Sequence, residues 1–420
     1  MNTSKPLSMT LRLILAAGTV LVVTACSSSD DNPPPPAASN FSSFQSASVV
    51  NGQANFTSGS PNRGGAAGDN TLMFPYGNPT VGSFVAPDYD NERVLLFTNT
   101  PTTNGASANV VLGQPDFTTT GCTASATGMC GPQTAVVAVD PNDLNKKKLF
   151  VVDFDFNRVL IWNSVPTTNQ TPADVVVGQP DMTTTASGCT GSQLNSPESI
   201  AVAGGTLVVV DSSNNRILAW DPIPTTDGVA ADFVVGQPDF TTCTPGVSET
   251  SLNDPTDVVT NGTKIAVADA GNNRVLIWNT VPDCDPTPCA LSTPFDVVLG
   301  QADFMSSPPP LDPPTATSFN LPYFLATDGT RLAVADALNN RVLIWNQFPS
   351  CTPTPCASTT PANVVLGQPN FTSNTDNNNG SGGSAISAQG LSFPAGLFFN
   401  GTNQLIVADN DNSRYLFFQY

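Results

Sequence analysis

The stretch LNSPESIAVAGGTLVVVDSSNNRILAWDPIPTTDGVAADFVVGQPDF, residues 194–240, contains four short apolar runs separated by turn residues. The runs are SIAVA, TLVVVD, RILAW and DFVVGQ. Each is rich in β-branched residues and is bounded by Gly, Pro, Asn or Asp, which is the pattern of a β-strand. No part of the stretch carries a sustained helical period. It therefore predicts four consecutive strands.

This unit recurs six times, and two signatures mark each copy. The first is an Asp followed five residues later by an Arg: Asp88/Arg93, Asp153/Arg158, Asp211/Arg216, Asp269/Arg274, Asp336/Arg341 and Asp409/Arg414. The second is a Gly-Gln step: Gly52-Gln53, Gly113-Gln114, Gly178-Gln179, Gly236-Gln237, Gly300-Gln301 and Gly367-Gln368. Such repetition means that one supersecondary unit has been copied. We expect an all-β fold over residues 45–420, a six-bladed β-propeller of four-stranded antiparallel blades.

The order of the two signatures predicts how the ring closes. The chain meets a Gly-Gln strand first, in residues 48–56, and ends on an Asp/Arg strand, in residues 414–420. The N-terminal strand can therefore supply the outer strand that the last blade lacks. An open solenoid would need capping units at both ends, and the sequence shows none. We expect a closed ring in which the N-terminal strand joins the C-terminal blade.

Three features of the unit have structural interpretations. Pro follows the Gly-Gln step in four copies, and because Pro cannot donate to a strand ladder we expect this strand to be the outermost one. The Arg can reach back to the Asp as a charge-assisted pair within one blade. A large aromatic residue, four residues after each Arg, is expected to pack between neighbouring sheets: Phe97, Trp162, Trp220, Trp278, Trp345 and Phe418.

The run VADAGNNRVLIWN (267–279), with its copies VVDSSNNRILAWD (209–221) and VADALNNRVLIWN (334–346), resembles the NHL repeat. The preceding NDPTDVV and NSPESIAV resemble the Pro-led first strand of that family. The GQPDF strand is similar to that of a bacterial lipoprotein subgroup of NHL-repeat proteins without an assigned activity. The resemblance implies a propeller, and it implies no single function.

The N-terminal residues are typical of an exported lipoprotein. Residues 1–25 carry Lys5 and Arg12 before the apolar run LILAAGTVLVV, which is too short to span a membrane. The run ends in VTAC, which resembles a lipobox with Cys26 as the lipidated residue. Because Ser27 follows, lipoprotein sorting implies the outer membrane, facing the periplasm or the surface. Residues 26–44, rich in Ser and Pro, are expected to form an extended tether.

The cysteines agree with export, because an even number remains after Cys26 is set aside. Cys122–Cys130, Cys284–Cys289 and Cys351–Cys356 are natural local pairs, and Cys189 and Cys243 could bridge neighbouring blades. The sequence does not fix the connectivity, since eight cysteines allow 105 pairings. A metal site is not indicated, because there is no CxxC and no His.

Charge and composition exclude several functions. The formal net charge is −19, and it becomes −21 once Lys5 and Arg12 are removed with residues 1–25. Such a charge disfavours nucleic acid, and it disfavours anionic lipid apart from the lipid anchor itself. The chain contains no histidine, which removes the usual Ser-His-Asp and Cys-His catalytic sets and His-ligated zinc. We therefore favour a protein that is not an enzyme, and we expect no cofactor, with Ca²⁺ as the open alternative.

The repeat varies most at the start of the first strand, which should open onto the central channel. The variable pairs are Tyr76-Gly77, Gln133-Thr134, Glu198-Ser199, Thr256-Asp257, Tyr323-Phe324 and Ala395-Gly396. A single site needs different groups from different blades, so we predict a solvent-exposed ligand site of Tyr76, Glu198, Asp257 and Tyr323. Ordinary loop residues are the simpler interpretation of these positions. The acidic loops 153–157 and 409–413 could also hold Ca²⁺.

Three functions from different classes remain open. The first is a monomeric binding module at the cell envelope, whose partner is an envelope protein or a glycan. The second is a Ca²⁺-dependent hydrolase or lactonase-like enzyme that uses carboxylates at the channel mouth. The third is a structural component of the envelope. We favour the binding module, because the scaffold is strongly specified and no catalytic set is visible.

Lipid anchoring at Cys26 can be tested by fractionation. We expect Cys26→Ser to move the protein from the membrane fraction to the soluble fraction, because the variant cannot carry the acyl chains. Immunoblots of both fractions, with Cys122→Ser as a cysteine control that keeps the anchor, provide the measurement. Unchanged detergent partitioning of Cys26→Ser would show that the lipobox interpretation is wrong.

Overall fold

The computed structural model describes residues 40–420 except 78–83, 281, 283, 285, 286, 309–311 and 382. Within these residues the chain forms six antiparallel blades, and the predicted all-β six-bladed propeller is confirmed. Five short 3-10 turns connect the second strand of a blade to its third: Tyr89–Asn91, Ser212–Asn214, Ala270–Asn272, Ala337–Asn339 and Asn410–Asn412. A further 3-10 turn spans Pro61–Gly64.

The strands of the first three blades follow in chain order. Blade 1 contains β2 (Phe84–Asp88), β3 (Arg93–Phe97) and β4 (Val110–Leu112), and Pro75 forms a bridge to Asp88 where its innermost strand begins. Blade 2 contains β5 (Pro132–Asp140), β6 (Asp143–Asp153), β7 (Arg158–Trp162) and β8 (Val175–Val177). Blade 3 contains β9 (Pro197–Ala203), β10 (Thr206–Asp211), β11 (Arg216–Trp220) and β12 (Phe233–Val235).

The last three blades follow the same strand order. Blade 4 contains β13 (Pro255–Thr260), β14 (Ile265–Asp269), β15 (Arg274–Trp278) and β17 (Val297–Leu299). Blade 5 contains β18 (Pro322–Thr327), β19 (Leu332–Asp336), β20 (Arg341–Trp345) and β22 (Val364–Leu366). Blade 6 contains β23 (Pro394–Phe399), β24 (Gln404–Asp409), β25 (Arg414–Gln419) and β1 (Val49–Asn51). Two short strands, β16 (Cys289–Leu291) and β21 (Cys356–Ala357), come from loops before the fourth strand.

Each repeated Asp and Arg form a buried ion pair that joins separate segments of one blade. In blade 3, Arg216 Nε donates to Asp211 Oδ2 at 2.7 Å, and neither side chain is exposed. Asp211 Oδ1 accepts the backbone N–H of Asn195, which precedes the first strand, at 2.7 Å. Arg216 Nη1 donates to Phe240 O, in the GQPDF segment, at 2.6 Å. Equivalent pairs occur in all six blades, as the sequence predicts.

The Gly-Gln steps have a structural role as well. Gln237 Nε2 donates to Asn215 O at 2.8 Å and to Thr244 O at 2.9 Å, so it ties the outer strand to the turn before the third strand. Gly236 has a φ of 89°, and a Cβ there would lie 2.7 Å from Leu252 Cδ1. Glycine is therefore required at this point. The same pair of acceptors recurs for the other five glutamines.

The N-terminal strand closes the ring, as predicted. β1 pairs antiparallel with β25 in the register Val49↔Phe417, Val50↔Leu416 and Asn51↔Tyr415. The aromatic residues after each Arg also lie where the sequence places them. Trp220, for example, packs in a cluster with Phe150 and Ile161 of blade 2. Blade-to-blade packing of this kind supplies the apolar core.

The outer strand of each blade is covered by another part of the chain. In blade 6 the N–H of Val50 donates to Asn104 Oδ1 at 3.1 Å, and Val50 O accepts the N–H of Gly105 at 2.9 Å. The loops at Asn169-Gln170 and Asp227-Gly228 do the same for Val111 and Val176. These loops belong to the next blade round the ring. They satisfy backbone groups that would otherwise form an exposed sheet edge.

In the other three blades the cover differs, and it corrects one expectation. β16 adds to β12 as a parallel fifth strand, and β21 adds to β17 in the same way. The prediction that the Gly-Gln strand is outermost is therefore wrong for blades 3 and 4. On blade 5, Phe44 N donates to Val365 O at 2.8 Å and Val365 N donates to Ser43 Oγ at 3.2 Å. In each case the free edge has gained backbone partners.

Four disulfides are formed: Cys122–Cys130, Cys189–Cys243, Cys284–Cys289 and Cys351–Cys356. They match the pairs that the spacing favours. Cys289 and Cys356 are also the first residues of β16 and β21, so two of the bonds close the loops that deliver the covering strands. The Cys189–Cys243 bond joins the two links on either side of blade 3, with a Cα–Cα distance of 6.4 Å.

Most of the predicted N-terminal segments lie outside the described residues. These segments are the signal peptide of residues 1–25, Cys26 and the tether up to residue 39. At the end of the predicted tether, Phe41 is buried, and its ring lies 4.5 Å from that of Tyr420. Phe41, near the start of the described residues, therefore packs against the propeller. The part of the chain that the structure describes contains no helix with the length and apolar character of a membrane span.

Removal of the closing segment should expose two sheet edges. A chain that starts at residue 57 lacks β1 and the residues that cover Val365, so β25 and β22 each lose the partner on their outer edge. We expect a lower melting temperature and association into larger species, because unpaired edges template intermolecular pairing. Light scattering after size exclusion measures the mass. A chain that starts at residue 40 is the control and should remain monomeric. If the chain that starts at residue 57 were equally monomeric and equally stable, closure by the N-terminal strand would be contradicted.

Candidate functional site

The first strand of each blade begins beside the end of the second strand. Pro197 pairs with Asp211, and the equivalent Pro and Asp pair in the other blades. The start of the innermost strand and the turn between the second and third strands therefore lie on one face of the ring. We call this face the turn face. The variable positions and the second-to-third turns meet there, around the central channel.

The residue after the Pro of each first strand lies beside the channel, so the six blades together place six such residues around it. These positions are Tyr76, Gln133, Glu198, Thr256, Tyr323 and Ala395. Tyr323 lies between two small residues of the neighbouring blades and reaches beyond both. Its hydroxyl is hydrogen-bonded to the carboxyl of Glu198, and its ring centroid lies 6.2 Å from that of Tyr76. The structure therefore brings together three of the four predicted ligand residues.

Asp257, the fourth predicted residue, has a different role. Its side chain is fully buried. Its Oδ1 accepts hydrogen bonds from the hydroxyl of Ser199 at 2.6 Å and from the backbone N–H of Val258 at 2.8 Å. Its Oδ2 accepts Leu325 N at 2.8 Å. Asp257 thus joins blades 3, 4 and 5, and the expectation that it is exposed for a ligand is wrong. Sequence alone could not show this, because its partners come from different blades.

Glu198 is also less exposed than expected, at 7%. Burial raises the pKa of Glu198 to about 8; the hydrogen bond from Tyr323 opposes this rise, and the charges of Asp254 and Asp257 add to it. Glu198 is therefore mostly protonated at neutral pH. Its Oε2 has no hydrogen-bond partner, and neither has Oε1 of buried Gln133 in the neighbouring blade. We describe these residues and Tyr323 as the floor of the mouth.

Above this floor, aromatic rings follow the rim from one blade to the next. Tyr76 lies 5.1 Å from Tyr89, and Tyr89 lies 6.3 Å from Phe154. On the other side, Tyr323 lies 5.7 Å from Phe393. Sequence reasoning missed Tyr89 and Phe154, although both directly follow the repeated Asp. That position was the available signal, because the turn after the second strand lies beside the start of the first.

Carboxylates occupy the same rim and repel one another. Burial raises the pKa values of Asp90, Asp155 and Asp411, and Asp90 adds to the rise for Asp155. Burial raises the pKa of Glu92 to about 7, with a lowering hydrogen bond from the N–H of Gly131 and further increases from nearby aspartates. Together with the aromatic rings, these half-buried groups form what we call the acidic mouth.

Burial and the negative charges of nearby carboxylates also raise the pKa values of the rim tyrosines. Burial raises the pKa of Tyr76 to about 12, and the negative charges of Glu198, Asp411 and Asp90 raise it further. Burial also raises the pKa of Tyr89, and the negative charge of Asp155 raises it further. Both phenols therefore stay neutral in the physiological range, where they present a flat apolar face and a polar tip.

The basic side chains outside the repeated Asp–Arg pairs lie mostly on the other face of the described chain. The lysines 146–148, Lys264 and Arg331 lie in or beside the hairpins between first and second strands. These hairpins are at the other end of the second strand from the repeated Asp, on the opposite face. The six arginines of the repeat are buried in ion pairs. Among the described residues of the turn face, Arg63 alone is a basic residue outside those pairs.

The predicted calcium loops do not present their repeated carboxylates to an ion. Asp153 and Asp409 are held in the buried pairs with Arg158 and Arg414. Within the described residues, one group of three candidate metal ligands is close enough to share an ion: Glu92, Cys122 and Cys130. The two cysteines are joined to each other as a disulfide and offer no thiolates.

No family model and no curated protein matches this chain. Its fold is similar to solved structures at low identity. Hydrazine synthase of Kuenenia stuttgartiensis is 13% identical over 85% of this chain and 98% of that one, with a TM-score of 0.44. The PQQ-bound aldose sugar dehydrogenase of Streptomyces coelicolor is 12% identical over 84% and 96%, with a TM-score of 0.41.

A streptogramin B lyase is 11% identical over 83% of this chain and 94% of that one, with a TM-score of 0.40. At these scores the likeness concerns the propeller architecture and carries no argument on activity. The resemblance to NHL repeats remains an expectation from the motifs. The function of this chain is therefore inferred from its own side chains.

The raised pKa of Glu198 predicts a specific pH dependence. The folded carboxyl binds its proton up to about pH 8, whereas the unfolded one releases it near 4.5. The folded state thus binds more protons between these values, so stability falls as pH rises, by at most about 1.4 kcal/mol per unit from this group. We expect Glu198→Gln to remove that part of the slope in urea unfolding from pH 5 to 8.

Asp116→Asn is the control for this measurement. Hydrogen bonds from Thr118 hold the pKa of exposed Asp116 at about 2, so this variant should keep the slope of the wild type. Parallel pH curves for wild type and Glu198→Gln would contradict a protonated buried Glu198.

Proposed function

We propose that this chain is a binding module of the cell envelope and that its ligand docks at the acidic mouth. The lipobox-like VTAC at Cys26 supports export and anchoring at the outer membrane, facing the periplasm or the surface. Four disulfides agree with an oxidising compartment. The mouth is the part of the turn face where the repeat varies from blade to blade, as a single binding site requires.

The observation that carries the proposal is the combination of rings and carboxylates at the rim. Tyr76, Tyr89 and Phe154 offer aromatic faces, and Asp90 and Asp155 place two mutually repelling carboxylates beside them. A cation relieves this repulsion and is attracted to aromatic faces. Of an envelope protein and a glycan, the mouth therefore favours the protein, bound through a positively charged amino end or basic side chain.

Binding fits this arrangement better than hydrolysis does. Glu198 has the most strongly raised carboxyl pKa of the mouth, which is a property that general acids share. However, Glu198 is 7% exposed and is bonded to Tyr323. It is placed to hold Tyr323 and to support the floor. The rim carboxylates, which a ligand can reach, act through charge.

A peptide array tests the proposal. Short peptides without Lys or Arg should bind the purified propeller through a free amino end, and the same peptides with an acetylated end should not, because acetylation removes their positive charge. The variant Asp90→Asn with Asp155→Asn should weaken binding at least tenfold at low salt. Added salt should weaken the wild type in the same direction.

The matched control removes two charges outside the mouth. Asp116→Asn with Asp239→Asn changes the net charge equally, and both residues are the exposed aspartates of GQPDF motifs. This control should bind peptides as the wild type does. Equal loss in both double variants would reveal a diffuse charge effect, and glycan binding that survives the mouth substitutions would place the ligand elsewhere; either result contradicts the proposal.

A further inference from the structure

A second polar cleft opens on the turn face where the ring closes. It has a volume of about 700 Å³ and lies between the link that follows β1 and the turn Asn410–Asn412 of blade 6. Its polar lining includes Gln53, Thr57, Ser60, Arg63 and Asp411. Sites for small molecules typically measure about 300–1,000 Å³, so the cleft is large enough for such a ligand.

Arg63 enters this cleft from a left-handed turn. Asn62 and Arg63 have φ values of 48° and 55°, and such non-glycine residues are uncommon and cost conformational energy. A reciprocal pair of amide hydrogen bonds between Asn62 and Asn91 fixes the turn, at 3.0 Å and 2.8 Å. The chain therefore holds the guanidinium in place through its neighbour.

The guanidinium of Arg63 is only partly satisfied. Its Nε donates to Gly52 O at 3.2 Å, and its buried Nη2 has no acceptor. Burial lowers the pKa of Arg63, and the charge of Asp69 only partly opposes this. Among the described carboxylates, none lies within salt-bridge distance of Arg63. Arg63 therefore lines the cleft without a counter-ion.

A carboxylate without a cation faces the same cleft. Asp411 Oδ2 accepts Ser392 Oγ at 3.1 Å, and no basic group of the described chain forms a salt bridge with it. Gln53, also in the lining, is fully buried and is held by hydrogen bonds from its Nε2 to Ser60 O and Ser413 O, so it shapes the wall of the cleft. The cleft thus combines a cation without a counter-ion and a carboxylate without a counter-ion.

We propose that this seam cleft binds a small zwitterion of the α-amino-acid type. The carboxylate of the ligand pairs with Arg63, whose planar fork matches it, and the ammonium group donates to Asp411. Ala54, Pro61 and Ile386 line the remaining wall and can contact an apolar side chain. This site is separate from the ligand contacts proposed for the acidic mouth, although Asp411 borders both.

Four forms of leucine separate the two charges by calorimetry. Free leucine carries both charges, leucinamide carries only the ammonium, N-acetyl-leucine carries only the carboxylate, and N-acetyl-leucinamide carries neither. We expect leucine to saturate the full chain below about 10 mM, and the three blocked forms to bind at least tenfold more weakly. Arg63→Gln should reduce the affinity for leucine at least tenfold, and Arg63→Lys should reduce it less.

Controls separate this site from the mouth and from misfolding. Lys146→Gln removes an exposed cation on the opposite face and should leave leucine binding unchanged. Asp90→Asn with Asp155→Asn should also leave it unchanged, whereas Arg63→Gln should leave peptide binding at the mouth unchanged. The proposal is overturned if leucine does not bind, if a blocked form binds equally well, or if the mouth variant loses leucine. Melting temperatures of each variant identify any loss of fold.

Discussion

The fold depends on a buried Asp–Arg pair that is repeated once in each blade. Its carboxylate accepts a backbone N–H from the residue just before the innermost strand, and its guanidinium donates to carbonyls in the links before and after the blade. Breaking one such pair leaves a buried charge and costs about 3–5 kcal/mol in comparable sites. Because the pair connects the strands to the link, its loss would disturb the position of the first strand, where the candidate site begins.

The sequence predicts much of this architecture because the same physical requirement recurs six times. The Asp, the Arg, the Gly-Gln step and the aromatic residue can be recognised by their constant spacing, and closure follows from their order. The edge covers were not predictable in the same way. In three blades the cover includes a loop side chain, such as Asn104 or Asp227. In two others it is the backbone of a short strand, β16 or β21, from a disulfide loop. In blade 5 it is the N-terminal segment at Ser43 and Phe44.

The candidate site was only partly predictable for a related reason. Tyr76, Glu198 and Tyr323 stand out because they vary at an otherwise constant position, and the structure brings them together. The same argument was wrong for Asp257. A residue can also vary because it makes a structural contact that only three particular blades share, and Asp257 joins blades 3, 4 and 5 in this way. A carboxylate that accepts two backbone N–H groups and a hydroxyl is indistinguishable in sequence from one that faces solvent.

The charge of the turn face follows from the scaffold itself. Six of the fourteen lysines and arginines are buried in ion pairs with six aspartates. These pairs add no net charge, and they leave few basic residues for the surface. The remaining lysines of the described chain lie at the hairpins of the opposite face. Acidic residues at the second-to-third turns, such as Asp90 and Asp155, therefore meet no basic neighbour of the rim. The selectivity proposed for the mouth thus arises from where the scaffold uses its arginines. Among the described residues of the turn face, Arg63 is the one basic group outside the repeated pairs, which is why an anionic group is proposed to bind there and not at the mouth.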